Sequence, residues 1–233
     1  MSGIKVVTDW TVSAVATSDQ KSFMRVDFSD DDSLIAELIK ASQNVIQTYL
    51  NRAITTQTLE LYLDRLHFYQ DINLQEGVFT APDIEYNTNF IVLPRPPVAS
   101  VTHVKYFDDS DTENTYASSN YYVDTISEQA RIVLRTGKSW PTVTETRNAN
   151  AYVVKYVAGY GGASDVPEPI VQAIKLLTAH LYENREAVTS LTVNAIPYTI
   201  GAMLQPYRIL RQITFLFRYK LSRGYIYCPW YGI

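Results

Sequence analysis

Negative charge is missing from one whole stretch of this chain. Between Ala187 and Ile233 there is no Asp or Glu, while Arg208, Arg211, Arg218, Lys220 and Arg223 all fall there. With a formal net charge of −4 overall, those five cations leave −9 on residues 1–186. An acidic body therefore carries a basic end, an asymmetry that points to contact with something outside the body's own core. Cysteine is almost absent too. The lone Cys228 excludes an intrachain disulfide and leaves no cysteine spacing for a metal; it fits a reducing compartment. No apolar run reaches the roughly 18 residues of a membrane span. Met1–Trp10, with one lysine and no apolar run, does not read as a signal peptide. There is no internal repeat and no low-complexity tract.

What is present describes a globular chain. Its 233 residues are 46% hydrophobic and 19% charged, enough to bury one sizeable core or two small ones. Eighteen tyrosines, each an apolar ring with a polar tip, suit surfaces that become buried against partners.

Two helical segments stand out. Asp30, Asp31 and Asp32 place negative charge at a helix start, and Ser29 with Asp32 has the spacing of a capping box. Leu34, Ile35, Leu38, Ile39, Val45, Ile46, Tyr49 and Leu50 then recur at helical spacing, a rod of about 33 Å ending near Asn51. A shorter helical piece, residues 18–25, precedes it. The second helix opens at Val166-Pro167-Glu168-Pro169. Its apolar face is Ile170, Ala173, Ile174, Leu177 and Leu181, and it fades near Ala187. Between the two lie strand-like runs that read as an antiparallel meander: Leu59, Leu61 and Leu63, then 90–93, 101–107, 121–124, 131–135 and 152–158. Residues 108–114 read as a hairpin loop and 67–89 as a surface excursion. The predicted class is α+β. An antiparallel pair of long helices brackets an inserted antiparallel β domain, with an extended C-terminal tail. The expected units are 1–56, 57–163, 164–190 and 191–233.

The short motifs have structural readings. Gly137-Lys138-Ser139 resembles the end of a phosphate loop, but Ile132 stands where its first glycine belongs and Trp140-Pro141 replaces the following helix. Gly159-Tyr160-Gly161-Gly162 lacks dinucleotide spacing. Asp109, Asp111 and Glu113 alternate like calcium ligands, yet Asn120 occupies the twelfth position, and a solvated hairpin tip explains them. Asp30–Asp32 could gather a cation, but their place at a helix start accounts for them. His67, His103 and His180 fall in separate elements without ligand spacing. Pro94-Arg95-Pro96-Pro97 fits a polyproline ligand pattern, but reads more simply as a rigid turn feeding a strand. No catalytic, cofactor or metal residues are assigned.

The C-terminal end alternates after Pro206. Ile213, Phe215, Phe217, Tyr219 and Leu221 interleave with Thr214, Leu216, Arg218 and Lys220, and Ser222-Arg223-Gly224 can turn the chain back through Tyr225–Tyr227. Eight aromatics there could bury on the order of 1,200–2,000 Å², worth roughly 30–50 kcal/mol. Ordering the segment costs about 40 kcal/mol. The tail should therefore order where it gains backbone pairing or a partner surface.

In series, these pieces resemble the tailed-bacteriophage head–tail connector proteins, or neck adaptors, over about residues 17–208. The likeness is carried by Asp30-Asp31-Asp32-Ser33-Leu34-Ile35, Tyr49-Leu50-Asn51-Arg52-Ala53 and Thr56-Gln57-Thr58. It continues through Leu93-Pro94-Arg95-Pro96-Pro97-Val98, Val101 to Tyr106, Ser139-Trp140-Pro141 and Val157-Ala158-Gly159-Tyr160. Val166-Pro167-Glu168-Pro169, Tyr182-Glu183-Asn184-Arg185-Glu186 and Leu204-Gln205-Pro206-Tyr207-Arg208 complete it. The resemblance implies a non-enzymatic virion component in the neck, without a cofactor. It would form a ring, expected to be twelve-fold, under the portal protein. The ring would extend the DNA channel and offer a platform to the next neck or tail protein. Double-stranded DNA would pass an acidic lumen without specific binding, and no membrane is involved. Residues 67–89 exceed the short link the family leads one to expect, and the pattern fades after Arg208. The tail is therefore assigned to portal binding on its own chemistry, through Arg208, Arg211, Phe215, Phe217, Arg218, Tyr219, Lys220, Arg223, Tyr225, Tyr227 and Trp230. Two other readings stand beside this one: a nucleic-acid-binding protein that uses the tail as a stacking surface, and an enzyme with a carboxylate site in the β domain.

Overall fold

A computed structural model describes residues 2–64, 66, 90–141, 146–184 and 198–209, together with the backbone of Tyr219–Leu221 and Gly224–Ile226. The proposed excursion at 67–89 lies outside the described residues. Among the described residues the fold is mixed α and β, with antiparallel sheets and four α-helices.

The helices are α1 (Thr17–Met24), α2 (Asp32–Leu50), α3 (Glu168–Glu183) and α4 (Tyr198–Leu204). Left-handed residues end the first two, Arg25 at φ 58° and Asn51 at φ 54°. After Asn51 the Arg52 N–H reaches back 3.3 Å to the Gln47 carbonyl. The capping box expected from Ser29 and Asp32 does not form. The helix begins at Asp32 with no side-chain cap; the Asp32 carboxylate instead accepts from Lys21 at 2.6 Å and that of Asp31 from the Tyr182 hydroxyl. Ile35, Ile39, Ile46 and Leu50 of α2 share one core with Ile170, Ala173, Ile174 and Leu177 of α3 and Ile200 and Leu204 of α4. Gln43 is also fully buried on this face. It is satisfied there by the Ala14 N–H, the Ser13 hydroxyl and Thr55.

The strands lie between α2 and α3, except for β1 (Ser2–Thr8), which the sequence reading did not predict, and a C-terminal pair. They are β2 (Gln57–Leu63), β3 (Phe90–Val92), β4 (Val98–Phe107), β5 (Glu113–Tyr116), β6 (Tyr121–Asp124), β7 (Arg131–Leu134) and β8 (Tyr152–Ala158). One sheet runs β1-β2-β8-β4-β5 and a smaller one β3-β7-β6. Both contribute to a second core containing Leu59, Leu61, Ile91, Val104, Ile132, Val154 and Tyr156. Neighbouring residues divide between the cores: Ala53 belongs to the β core and Ile54 to the helical one.

The chain leaves and re-enters the helical part side by side. Tyr160 N–H donates to the Ile54 carbonyl at 3.0 Å, and the Thr56 N–H to the Gly161 carbonyl at 3.2 Å. Gly159 is at φ 126°, and a Cβ on it would lie 2.5 Å from the Thr55 carbonyl oxygen. The glycine-rich run is therefore a close crossing of two chain segments.

Candidate interaction surface at the tail root

The proline run is spent on the same joint. Carbonyls of Pro94, Pro96 and Pro97 accept from the Tyr156 hydroxyl and from the N–H groups of Ala53 and Gly159. That is a rigid internal turn rather than an offered ligand. Gly137 turns the chain at φ 77° with the Lys138 N–H bonded to the Arg135 carbonyl. In the acidic loop, Asp108 accepts from the N–H groups of Ser110 and Thr112, which pulls its carboxyl below the usual range, the Thr112 bond foremost. Asp111 faces Arg147 at 3.6 Å and Glu113 pairs with Lys105. His103 lies on β4, its imidazole pulled down by desolvation first and then by Lys105 and Lys155. His180 helps cap the end of α3 through Asn184, and His67 lies outside the described residues. Among the described residues no group of three or more His, Cys, Asp or Glu side chains could hold a metal. No described helix is long and apolar enough to cross a membrane.

At the end of α2 a set of contacts converges on one cation. Arg52 is 8% exposed. Its Nε donates to the Tyr207 carbonyl and its terminal amine to the Glu128 carboxylate. Close by, the Tyr160 hydroxyl is pushed up by desolvation, partly countered by Arg52. One residue further along the C-terminal segment, the Arg208 guanidinium lies 4.7 Å over the Tyr49 ring. Ile209 is buried and its N–H donates to the Leu50 carbonyl at 2.9 Å. The C-terminal segment is thus clamped to α2 through residues 198–209, and α4, which the sequence reading missed, is part of the clamp.

Of the predicted tail residues, Arg208 sits in this clamp. Tyr219 lies on β9 (Tyr219–Leu221) with Lys220, and Tyr225 on β10 (Gly224–Ile226); these strands pair antiparallel, Lys220 opposite Tyr225. Arg211, Phe215, Phe217, Arg218, Arg223, Tyr227 and Trp230 lie outside the described residues. In the sequence Arg52 stands out only within Tyr49-Leu50-Asn51-Arg52-Ala53, as a cation directly after a helix end, which takes on meaning once residues 128 and 207 are brought beside it.

This architecture has known counterparts. The neck of an empty gene transfer agent (GTA) particle computed with C6 symmetry contains a chain with the same fold, at TM-score 0.68 and 20% identity over 91% of this chain and 98% of that one. The virion of a native GTA particle gives TM-score 0.68 at 20% identity over 91% and 97%. The neck of a native GTA particle computed with C12 symmetry gives 0.66 at 20% identity over 91% and 98%. No curated protein matches the chain in sequence. The fold is that of proteins found in gene transfer agent particles. The head completion protein model matches residues 15–210, and the chain belongs to that family.

Proposed function

We propose that this protein is a structural, non-enzymatic head–tail connector in the neck of a tailed-phage virion. Copies assemble as a ring of twelve beneath the portal, extend the DNA channel, and give the next neck or tail protein its platform. Family membership across residues 15–210 carries this reading. The C6 and C12 symmetries of necks that share the fold support a ring. In this proposal α2 and α3 form an antiparallel pair bracketing the β unit, 57–163. The basic aromatic segment after the clamp is the portal-docking tail, adding strands to a sheet edge there. The acidic body lets DNA slide past, since like charge repels phosphate.

The test is capture by the partner portal protein of full-length chain and of chain ending at Leu210. Capture of the full chain alone, with both proteins equally folded, supports tail docking. Equal capture of both sinks the tail's role, and capture of neither sinks the connector reading. Tight, steeply salt-dependent DNA binding by the isolated protein would favour the nucleic-acid reading instead.

A further inference from the structure

The smaller sheet turns one face away from the core, with Phe90 and Val133 half-buried on it and Tyr122 exposed. Its pairing register sets Phe90, Val133 and Tyr122 in one cross-strand row, while Ile91 and Ile132 point into the core. Tyr122 is 47% exposed, and Ile126, in the loop after β6, is 98% exposed. That loop is held firmly. Asp124 accepts from the Ile126 N–H at 3.1 Å, the Ser127 hydroxyl at 2.8 Å and Arg131 at 2.7 Å, while Glu128 pairs with Arg52. Beside Tyr122, the Arg135 guanidinium lies 5.9 Å from its ring, exposed and without an ion pair among the described residues. A fixed aliphatic tip with a tyrosine and an exposed arginine has the make-up of an interface hot spot, not of a solvated surface.

A complementary surface lies on the same chain. Phe23 and Phe28 are 42% and 52% exposed, with Asp27 and Asp30 exposed beside them and in no ion pair among the described residues. Residues 19–37 carry six carboxylates against two cations. This corner precedes the start of α2, whereas the Ile126 loop is fastened at Glu128 to Arg52, just past its end. The 19 residues of α2 separate those two points by about 28 Å, so the two surfaces do not meet within one copy. Opposite charge and exposed apolar anchors at opposite ends of one rod define a head-to-tail contact, the kind that repeats and closes into a ring.

We infer that the outer face of the smaller sheet, through Tyr122, Ile126 and Arg135, binds the corner of the next copy that bears Phe23, Phe28, Asp27 and Asp30. The inference rests on the ring reading above. It is tested with full-length chains carrying Ile126→Asp, which breaks the sheet face, or Phe28→Asp, which breaks the corner. Both positions are exposed, and thermal melting checks that each variant folds like the wild type. Native mass spectrometry should find oligomers for the wild type and monomer for either variant alone. An equimolar mixture should give a heterodimer and nothing larger, since one intact face meets one intact corner. A wild type that stays monomeric, a variant that assembles normally, or a mixture that fails to pair overturns the contact. So does loss of assembly on ending the chain at Leu210, which would make the tail the occupant. Portal capture is read in parallel: assembly by this contact without capture sinks the connector reading alone, and capture with unchanged assembly of the variants sinks the contact alone.

Discussion

Arg52 donates from its Nε to the backbone carbonyl of Tyr207, tying the end of α2 to a residue 155 positions later in the chain. The same guanidinium holds Glu128 of the β part. Three segments distant in sequence thus share one planar fork of donors. Arginine suits this place because its donors diverge in a fixed plane, which a lysine ammonium cannot reproduce.

Arg52→Ala should therefore cost about 1–3 kcal/mol of unfolding free energy, since the Tyr207 carbonyl and Glu128 both lose a charged donor. Arg52→Lys should recover less than half of the loss. Urea denaturation measures both, and hydrogen exchange at the Ile209 amide should quicken in each variant. A lysine variant as stable as the wild type would mean that charge alone, without the fork, fastens the joint.

Gly159 gives a sharper contrast. Alanine there meets φ 126° and a backbone oxygen at 2.5 Å, so Gly159→Ala should lose about 3 kcal/mol or fail to accumulate as soluble protein. Gly137 is also left-handed, at φ 77°, but nothing lies within 4 Å of an added Cβ. Gly137→Ala should cost about 1–2 kcal/mol, the backbone term alone. Melting temperatures of the pair separate crowding from strain; equal losses would contradict the close crossing at Thr55.

The helices were legible because a one-face apolar period needs no distant information. Even so, the buried stripe of α2 differs from the apolar set: Val45 is 44% exposed, while Ser42 and Gln43 are buried. Gln43 can be buried because Ala14 and Thr55 offer it partners, which no local pattern announces. β1 escaped detection because it is a strand only by pairing with β2, from Ser2 opposite Leu63 to Thr8 opposite Thr58. β5 escaped because its residues Glu113 and Asn114 look like loop chemistry. The tail's charge pattern was visible at once, whereas Arg52 and α4 gain their roles from packing against segments far away in sequence.

The Asp124 carboxyl is pulled down to about 2, by Arg131 first and by Ser127 next. A depressed carboxyl lends its order to the folded loop above its unfolded value near 3.9 and loses it as pH falls through about 2. The Ile126 methyl signals should therefore stay constant from pH 7 to about 3 and shift in a step centred near pH 2. Asp124→Asn should abolish that step and leave the loop signals averaged at every pH. A wild-type shift centred near pH 4 would show that Arg131 does not hold this carboxylate.

Where body ends and tail begins follows from Ile209. Its side chain is 8% exposed and its N–H bonds to the Leu50 carbonyl, so it belongs to the clamp even though the acid-free stretch began far upstream. Ending the chain at Leu210 keeps both contributions, and that protein should unfold at the full-length midpoint. Ending it at Tyr207 removes the buried isoleucine, the bond to Leu50 and the Arg208–Tyr49 contact together, a loss of about 3–5 kcal/mol. Urea midpoints of the two truncations decide the matter. If they coincide, the clamp does not stabilise the body.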